Sequence, residues 1–212
     1  MSSDRYIPTP EPATAGSSHD RILLAAKFLF ANRGYENTST VAIARQAGTS
    51  ESQLMKHFGS KEGLLEAVFD YGWQQMGYVF RAIEQLHSPA EKMQALLDLL
   101  LAGFERDPEL KNLMLLEGRR IRKEGHMVMM TRGFLGFVKL VDGLLAQMKA
   151  SGELKPDLHP QAVRSGLIGM FEALLRDRIL AEKMGFPAGY NNEDLRRMYT
   201  VVVDAFTVRG GG

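Results

Sequence analysis

From about residue 19 onward, apolar positions recur at the roughly three-to-four-residue spacing of helices, and no segment stands out with the alternation of a strand. Ile22, Ala25, Ala26 and Leu29 form one face, extended by Phe30, which predicts a helix from about His19 to Asn32. Ser18 is its expected N-cap and Gly34 its stop. Ile43, Ala44 and Ala47 share a face before the turn Ala47-Gly48-Thr49, and Leu54 and Phe58 share one after it. The pattern predicts a second helix from just after Thr38 to about Ala47, and a third from just after Ser50 to about Phe58. Two short helices joined by so tight a turn cannot pack side by side and must cross steeply. That is a helix-turn-helix, whose second helix can enter the major groove of DNA.

Gly59-Ser60 breaks the pattern, and Ser60 can cap a fourth helix from Lys61 to about Leu86 carrying Leu64, Leu65, Val68, Phe69, Trp73 and Met76. Ser88-Pro89-Ala90-Glu91 is a capping box with proline at the first helical position, opening a leucine-rich helix that reaches Phe104. Asp107-Pro108-Glu109 repeats that logic for a helix from Leu110 to about Ile121. One long helix is expected from Glu124 to about Ala150, one from Pro160 through Ile179, and a last one from Glu193 to about Val208 capped by Asn192. No internal repeat is visible. Residues 1–18, with Pro8, Pro10 and Pro12 and no apolar period, read as a disordered arm, and 209–212 as a flexible tail.

The chain has 212 residues and a net charge of +1, so it is no polycation. Between Asp20 and Lys61, six basic residues (Arg21, Lys27, Arg33, Arg45, Lys56, Lys61) meet three acidic ones, a modest local excess compatible with phosphate contact. With no cysteine, a disulfide framework, a thiol nucleophile and a thiolate metal site are excluded. No apolar run approaches the roughly 18 residues of a membrane span, and the N-terminus has no apolar signal core, so the expectation is a cytoplasmic protein without a membrane partner. No GxSxG, GxGxxG, P-loop or HExxH motif occurs, and His19, His57, His87, His126 and His159 are scattered without carboxylates at ligand spacing. The reading is that the chain is not an enzyme and carries no metal or cofactor.

Ile22-Leu23, Ala25-Ala26, Leu29-Phe30, Gly34-Tyr35, Thr38-Ser39, Ile43-Ala44, Ala47-Gly48, Ser50, Leu54, His57-Phe58, Ser60-Lys61-Glu62 and Leu64-Leu65 agree in order and spacing with one known pattern. Through them, residues 21–69 resemble the N-terminal domain of the TetR family of bacterial transcriptional regulators. The resemblance implies an all-α chain: a three-helix helix-turn-helix domain over 19–65, then a helical bundle over 66–208 for ligand binding and dimerisation.

The DNA-facing candidates are Thr38, Ser50, Glu51, Ser52, Gln53, Met55, Lys56, His57 and Lys61. Thr38, at the start of helix 2, offers a hydroxyl and free backbone N–H groups to a phosphate. By resemblance, Ser52 and Met55 lie where base edges are read, and Gln53, Lys56, His57 and Lys61 where phosphates are gripped. Gln can read adenine and Lys can read guanine; Glu51 would repel phosphate and could accept from cytosine. Solvated surface charge is the competing reading for Lys56 and Lys61, and carbonyl capping at a helix end for His57. Family members usually carry an aromatic, often Tyr, at Met55; here thymine-methyl contact replaces that hydroxyl.

The last helix is apolar around much of its circumference, and the helix before it carries Gly166 and Gly169; the resemblance implies that they form a four-helix homodimer interface, with closure of a monomer core as the alternative. Two-fold symmetry would match a near-palindromic double-stranded DNA operator. Ten of the twelve methionines lie after residue 70, which suits an adaptable apolar pocket as well as plain core filling. The resemblance implies a small, largely apolar effector in the bundle, with Met114, Glu117, Met130, Phe134 and Met170 as candidate lining. Glu117 could meet a cationic ligand or pair with Arg120 or Arg178. The run Arg119-Arg120-Ile121-Arg122-Lys123 reads as a solvated helix end, with an anionic ligand group as the alternative. The expected function is a ligand-responsive regulator, a repressor released by its effector. The alternative is an architectural or adaptor DNA-binding protein whose bundle binds another protein.

Overall fold

The first helix, α1 (Ser18–Arg33), starts one residue earlier than expected: Ser17 is the cap, its Oγ accepting from the Asp20 N–H at 3.2 Å. The computed structural model describes residues 16–208; most of the expected arm (1–15) and the tail (209–212) lie outside the described residues. Ser39 caps α2 (Thr40–Gln46), Ser50 caps α3 (Glu51–Phe58), and α4 (Lys61–Phe80) follows, continued by a 3-10 turn over Arg81–Gln85. Then come α5 (Pro89–Arg106), α6 (Pro108–Asn112), α7 (Arg132–Ala150), α8 (Pro160–Met184) and α9 (Asn192–Phe206). The chain is all-α, a three-helix head followed by a helical bundle. All of its buried apolar residues but Ile179 form one continuous cluster among the described residues, to which α4 gives Leu64, Leu65, Val68 and Phe69 beside the head and Trp73, Met76 and Phe80 in the bundle.

The capping box at Ser88–Glu91 forms as the sequence predicts, both halves being made. The last helix has a capping box as well, but on Asn191 with Asp194, so Asn192 is its first residue rather than its cap.

Two expected helices are corrected. The segment expected to run from Leu110 to Ile121 is the short α6 followed by a π turn over Leu113–Glu117. The long helix expected from Glu124 does not start there. Glu124 (φ +50) and Gly125 (φ +83) reverse the chain, and strands β1 (Arg122–Lys123) and β2 (His126–Met127) pair antiparallel across the turn. Glycine relieves the left-handed backbone at one of those two positions. Thr131 then caps α7, its Oγ1 accepting from the Phe134 N–H at 3.2 Å. Val128 and Met129 are buried from this loop, which is why their apolar run mimics a helical face.

Candidate nucleic-acid interface and effector cavity

The head is fixed by local hydrogen bonds. Gly48 takes φ +61 between α2 and α3, a conformation costly for residues with a Cβ, and the Thr49 N–H returns to Ala44 O at 3.0 Å. Ser50 Oγ accepts from the Gln53 N–H at 3.2 Å. The Thr40 hydroxyl donates to the Glu51 carboxylate, tying α2 to α3 across the turn. Leu54 is the one buried side chain of α3, fully enclosed, while Glu51, Ser52, Gln53, Met55, Lys56 and His57 are all exposed. A short helix anchored by Leu54, with Phe58 half-buried at its end, therefore presents the other six side chains outward. Met55, at 43% exposure, offers an apolar patch in the middle of that polar surface.

Thr38 leaves the candidate set. It is buried, and its hydroxyl donates inward to Gly34 O at 2.9 Å and Leu29 O at 3.3 Å. Its N–H is also used, on Tyr35 O at 3.2 Å. Ser39, one residue on, is the exposed cap of α2, with its Oγ accepting from the Ala42 N–H.

His57 and Lys61 have partners of their own. His57 Nε2 lies 2.9 Å from Ser18 Oγ, and its ring meets that of His19 edge-on, so α3 is tethered to the start of α1. Lys61 Nζ sits 4.1 Å above the centre of the Tyr35 ring, which holds a cation at the start of α4. Tyr35 in turn donates its hydroxyl to Glu62 at 2.7 Å. That hydrogen bond holds the Glu62 carboxyl below its ordinary pKa, while burial, with Glu62 alongside, pushes the tyrosine hydroxyl up.

Arg21 plays a part that its place in the charge count did not reveal. Its Nε donates to Ala47 O at 3.1 Å and its Nη1 to Gly16 O at 2.9 Å, so it staples the helix-turn-helix turn onto α1. Lys27 is likewise committed, to Asp107 at 2.7 Å and Glu109 at 3.6 Å, joining the head to the bundle. Two of the six counted cations thus serve the architecture. Only the position of Arg21, one turn into α1, hinted at this.

The bundle holds a narrow, almost wholly apolar cavity, partly open to the outside, whose space open to water is about 50 Å³. Helices α4, α5, α7, α8 and α9 and the π turn all contribute to its wall, and Glu172 is the one ionisable acid or base among the lining side chains other than Tyr199. Of the five candidate lining residues, the structure brings Met114 and Phe134 together there. Glu117 instead pairs with Arg120 at 3.3 Å, Met130 is 40% exposed beside the hairpin, and Met170 packs against the core without reaching the cavity wall. Met130 was misplaced together with the helix expected to carry it. Trp73, Phe137 and Phe171 line the cavity though their helical spacing marked them only as apolar positions, and Tyr199 lines it without having been singled out at all.

The basic run 119–123 is a set of pairs. Arg119 bridges to Glu172 on α8, Arg122 donates to Arg119 O at 2.7 Å, and Lys123 meets Glu66 of α4 at 2.7 Å. Arg178 bonds the side chain of Asn192 rather than Glu117. Two contacts fix α4 against the N-terminus of α7: Asp70 accepts from the Gly133 N–H at 2.9 Å, and Gly133 lets Trp73 approach so closely that a Cβ there would lie 2.3 Å from that of Trp73. Among the described residues, no cluster of three or more His, Asp or Glu is placed to hold a metal, and no helix is long and apolar enough to cross a membrane.

Residues 22–68 match the family model described as bacterial regulatory proteins, tetR family. The nucleoid occlusion factor SlmA of Aliivibrio fischeri is 34% identical over 110 residues, 49% of this chain; the match spans only 56% of that relative's length. The HTH-type transcriptional regulator UidR of Escherichia coli is 25% identical over 192 residues, covering 90% of this chain and 95% of UidR. Among solved structures, the regulator FadR of Bacillus subtilis in complex with stearoyl-CoA superposes with a TM-score of 0.73 at 22% identity, over 86% of this chain and 94% of that one. At that identity the likeness is one of fold.

Proposed function

Through residues 22–68 the chain belongs to the tetR family of bacterial regulatory proteins, and from that premise we propose that it is a ligand-responsive transcriptional repressor of the cytoplasm. It binds a near-palindromic operator as a homodimer and is released by a small, largely apolar effector. The observation that carries the proposal is the course of α4, which starts at Lys61 beside the exposed face of α3 and reaches the cavity at Trp73. The DNA-reading part is residues 19–65, the effector and dimer part 66–208, and α4 crosses between them.

In this reading, Ser52 and Met55 meet base edges, and Ser50, Gln53, Lys56, His57 and Lys61 meet phosphates. Glu51, held by Thr40, is the one acid on that face. Pairing of two copies is supported by α8 and α9. Gly166 and Gly169 are exposed with open space around them, and α9 shows Met198, Val201 and Ala205 to solvent, Val201 at 62%. Those positions share one face of each helix, and two copies so joined have to set their α3 helices about 34–36 Å apart to reach successive major grooves. An apolar effector is supported by the cavity wall and by the stearoyl-CoA held by the Bacillus subtilis neighbour. Effector binding favours a dimer whose α3 helices are badly spaced, so it lowers operator affinity and is itself weakened equally by DNA.

Selection of bound sites from genomic DNA tests this. One palindrome should emerge, and apolar ligands should release it. Lys61→Ala should then weaken binding to every sequence and lower the slope of log affinity on log salt by about 1; unchanged affinity and slope would remove Lys61 from the interface. The SlmA match favours a second reading, an architectural or adaptor protein, in which many sequences bind with similar affinity and no ligand releases them.

A further inference from the structure

The outward face of α3 carries one charge of the wrong sign for DNA. Glu51 is the first residue of the helix, exposed, and on the same side as Met55 four residues later. Among the described residues no lysine or arginine forms an ion pair with it. Its carboxylate is held instead by a neutral donor, the hydroxyl of Thr40 at the start of α2. An acid laid against phosphates lowers affinity for every sequence unless a donor meets it. An acid in the first turn also favours the helix itself, so local stability is the competing role for Glu51.

In a helix-turn-helix the first residues of the second helix face base edges in the major groove. Guanine N7 and O6, adenine N7 and thymine O4 are acceptors there and repel a carboxylate. Cytosine N4 offers a donor with no acceptor on the same base, whereas adenine N6 stands beside N7. A glutamate that turns freely would spread this preference over neighbouring bases. The bond from Thr40 fixes the side chain and takes one of the roughly four acceptor sites of the carboxylate, leaving others for a base. We propose that Glu51 reads a cytosine in each half-site of the operator and that Thr40 is its positioning residue. This rests on the chain being an operator-binding repressor and names one base that the operator must hold. At about 1.5 Å of rise per residue, Glu51 lies about 6 Å along α3 from Met55, which puts the cytosine within about two base pairs of the base that Met55 meets.

The test is selection of bound sites from random DNA by the full native chain and by Glu51→Gln, Glu51→Ala, Thr40→Val and Thr40→Ser, with the melting temperature of each. Dissociation constants follow on the selected site and on the same site with cytosine changed to thymine in one half. The native chain should select a palindrome with a cytosine in each half and lose about 5–10-fold in affinity on that change. Glu51→Gln should exchange the cytosine for adenine, which glutamine reads through N6 and N7. Glu51→Ala should lose the preference and bind the thymine-bearing site more tightly than the native chain does, since the repelling charge is gone. Thr40→Val should flatten the preference at that position alone, and Thr40→Ser, which keeps the hydroxyl, should restore it. A cytosine preference that survives Glu51→Ala, or variants that melt lower yet select the native sequence, would reduce Glu51 to a helix-stabilising acid and overturn the proposal. A preference lost in Glu51→Ala but kept in Thr40→Val would remove the positioning role of Thr40. If the native chain selects no single palindrome, the repressor reading itself falls, and the inference with it.

Discussion

Helix α3 and the cavity wall are built by opposite means. The ends of α3 are set by short-range contacts, a serine cap, a glycine stop and a threonine–glutamate link across the turn, while buried Leu54, half-buried Phe58 and the His57–Ser18 contact hold it to the rest of the head. The cavity wall draws side chains from five helices, a π turn and the loop before α7, brought together by the packing of distant segments. A surface assembled locally keeps its shape wherever the domain moves. A cavity assembled from many elements changes shape when any one of them shifts. The first suits a rigid reader of DNA and the second a sensor, and α4 is the element that belongs to both.

The sharpest test of how α3 is held is its fully buried anchor, Leu54. Leu54→Ala leaves a cavity under a fully buried side chain and should cost about 2–5 kcal/mol, seen as a large fall in the melting temperature with loss of DNA binding. Met55→Ala, the next residue but 43% exposed, should stay within about 0.5 kcal/mol while altering base preference. Equal thermal shifts in the two variants would mean that Leu54 is not what anchors α3.

This contrast also explains what could be read from the sequence. Caps and glycines act over a few residues, so Gly48, Ser50, Gly59 and the Ser88–Glu91 box marked the helix ends of the head and of α5 within a residue or two. The exposed face of α3 followed from the positions of Leu54 and Phe58. Thr38 failed because a hydroxyl before a helix looks the same whether it faces solvent or, as here, the carbonyls of Leu29 and Gly34. In the bundle, apolar spacing marks burial without saying what is buried against what. Met130 and Val128 fit a helical period yet lie in the turn between the hairpin and α7, and Met170 packs on the core without joining the cavity wall. The Glu124-Gly125 dipeptide and Thr131 carried the correction, a turn followed by a cap, but the methionines and valine between them outweighed it.

A second test addresses the cavity side, where distant segments pack together. Gly133 and Gly136 lie one turn apart on α7, and only Gly133 is crowded, with a Cβ there 2.3 Å from Trp73 Cβ and 3.2 Å from Asp70 Oδ1. The Trp73 Cβ is fixed to the backbone of α4, so the strain cannot be relieved by a rotamer. Gly133→Ala should destabilise by about 1–3 kcal/mol and disturb ligand binding in the cavity. Gly136→Ala has nothing within 4 Å and should stabilise α7 by up to about 1 kcal/mol. Chemical denaturation of both variants separates the two; a shared stabilisation would show that α4 and α7 are not in obligatory contact.

The smallest expected effect lies where the two regions meet, at the head of α4. Tyr35→Phe keeps the ring under Lys61 but removes the hydroxyl that donates to Glu62. That hydrogen bond is the first cause of the lowered Glu62 pKa, and a carboxyl whose folded pKa is lowered adds stability above its unfolded value. The added stability is lost as pH falls through the folded value. The native chain should therefore exceed Tyr35→Phe by about 1 kcal/mol near neutral pH, and the gap should narrow on acidification through the carboxylate range. In the variant the Glu62 carboxyl, followed by NMR titration, should return toward the ordinary glutamate value. A gap independent of pH would assign the loss to packing around Phe30 and Tyr35. The hydroxyl would then add nothing to how firmly α4 holds the head.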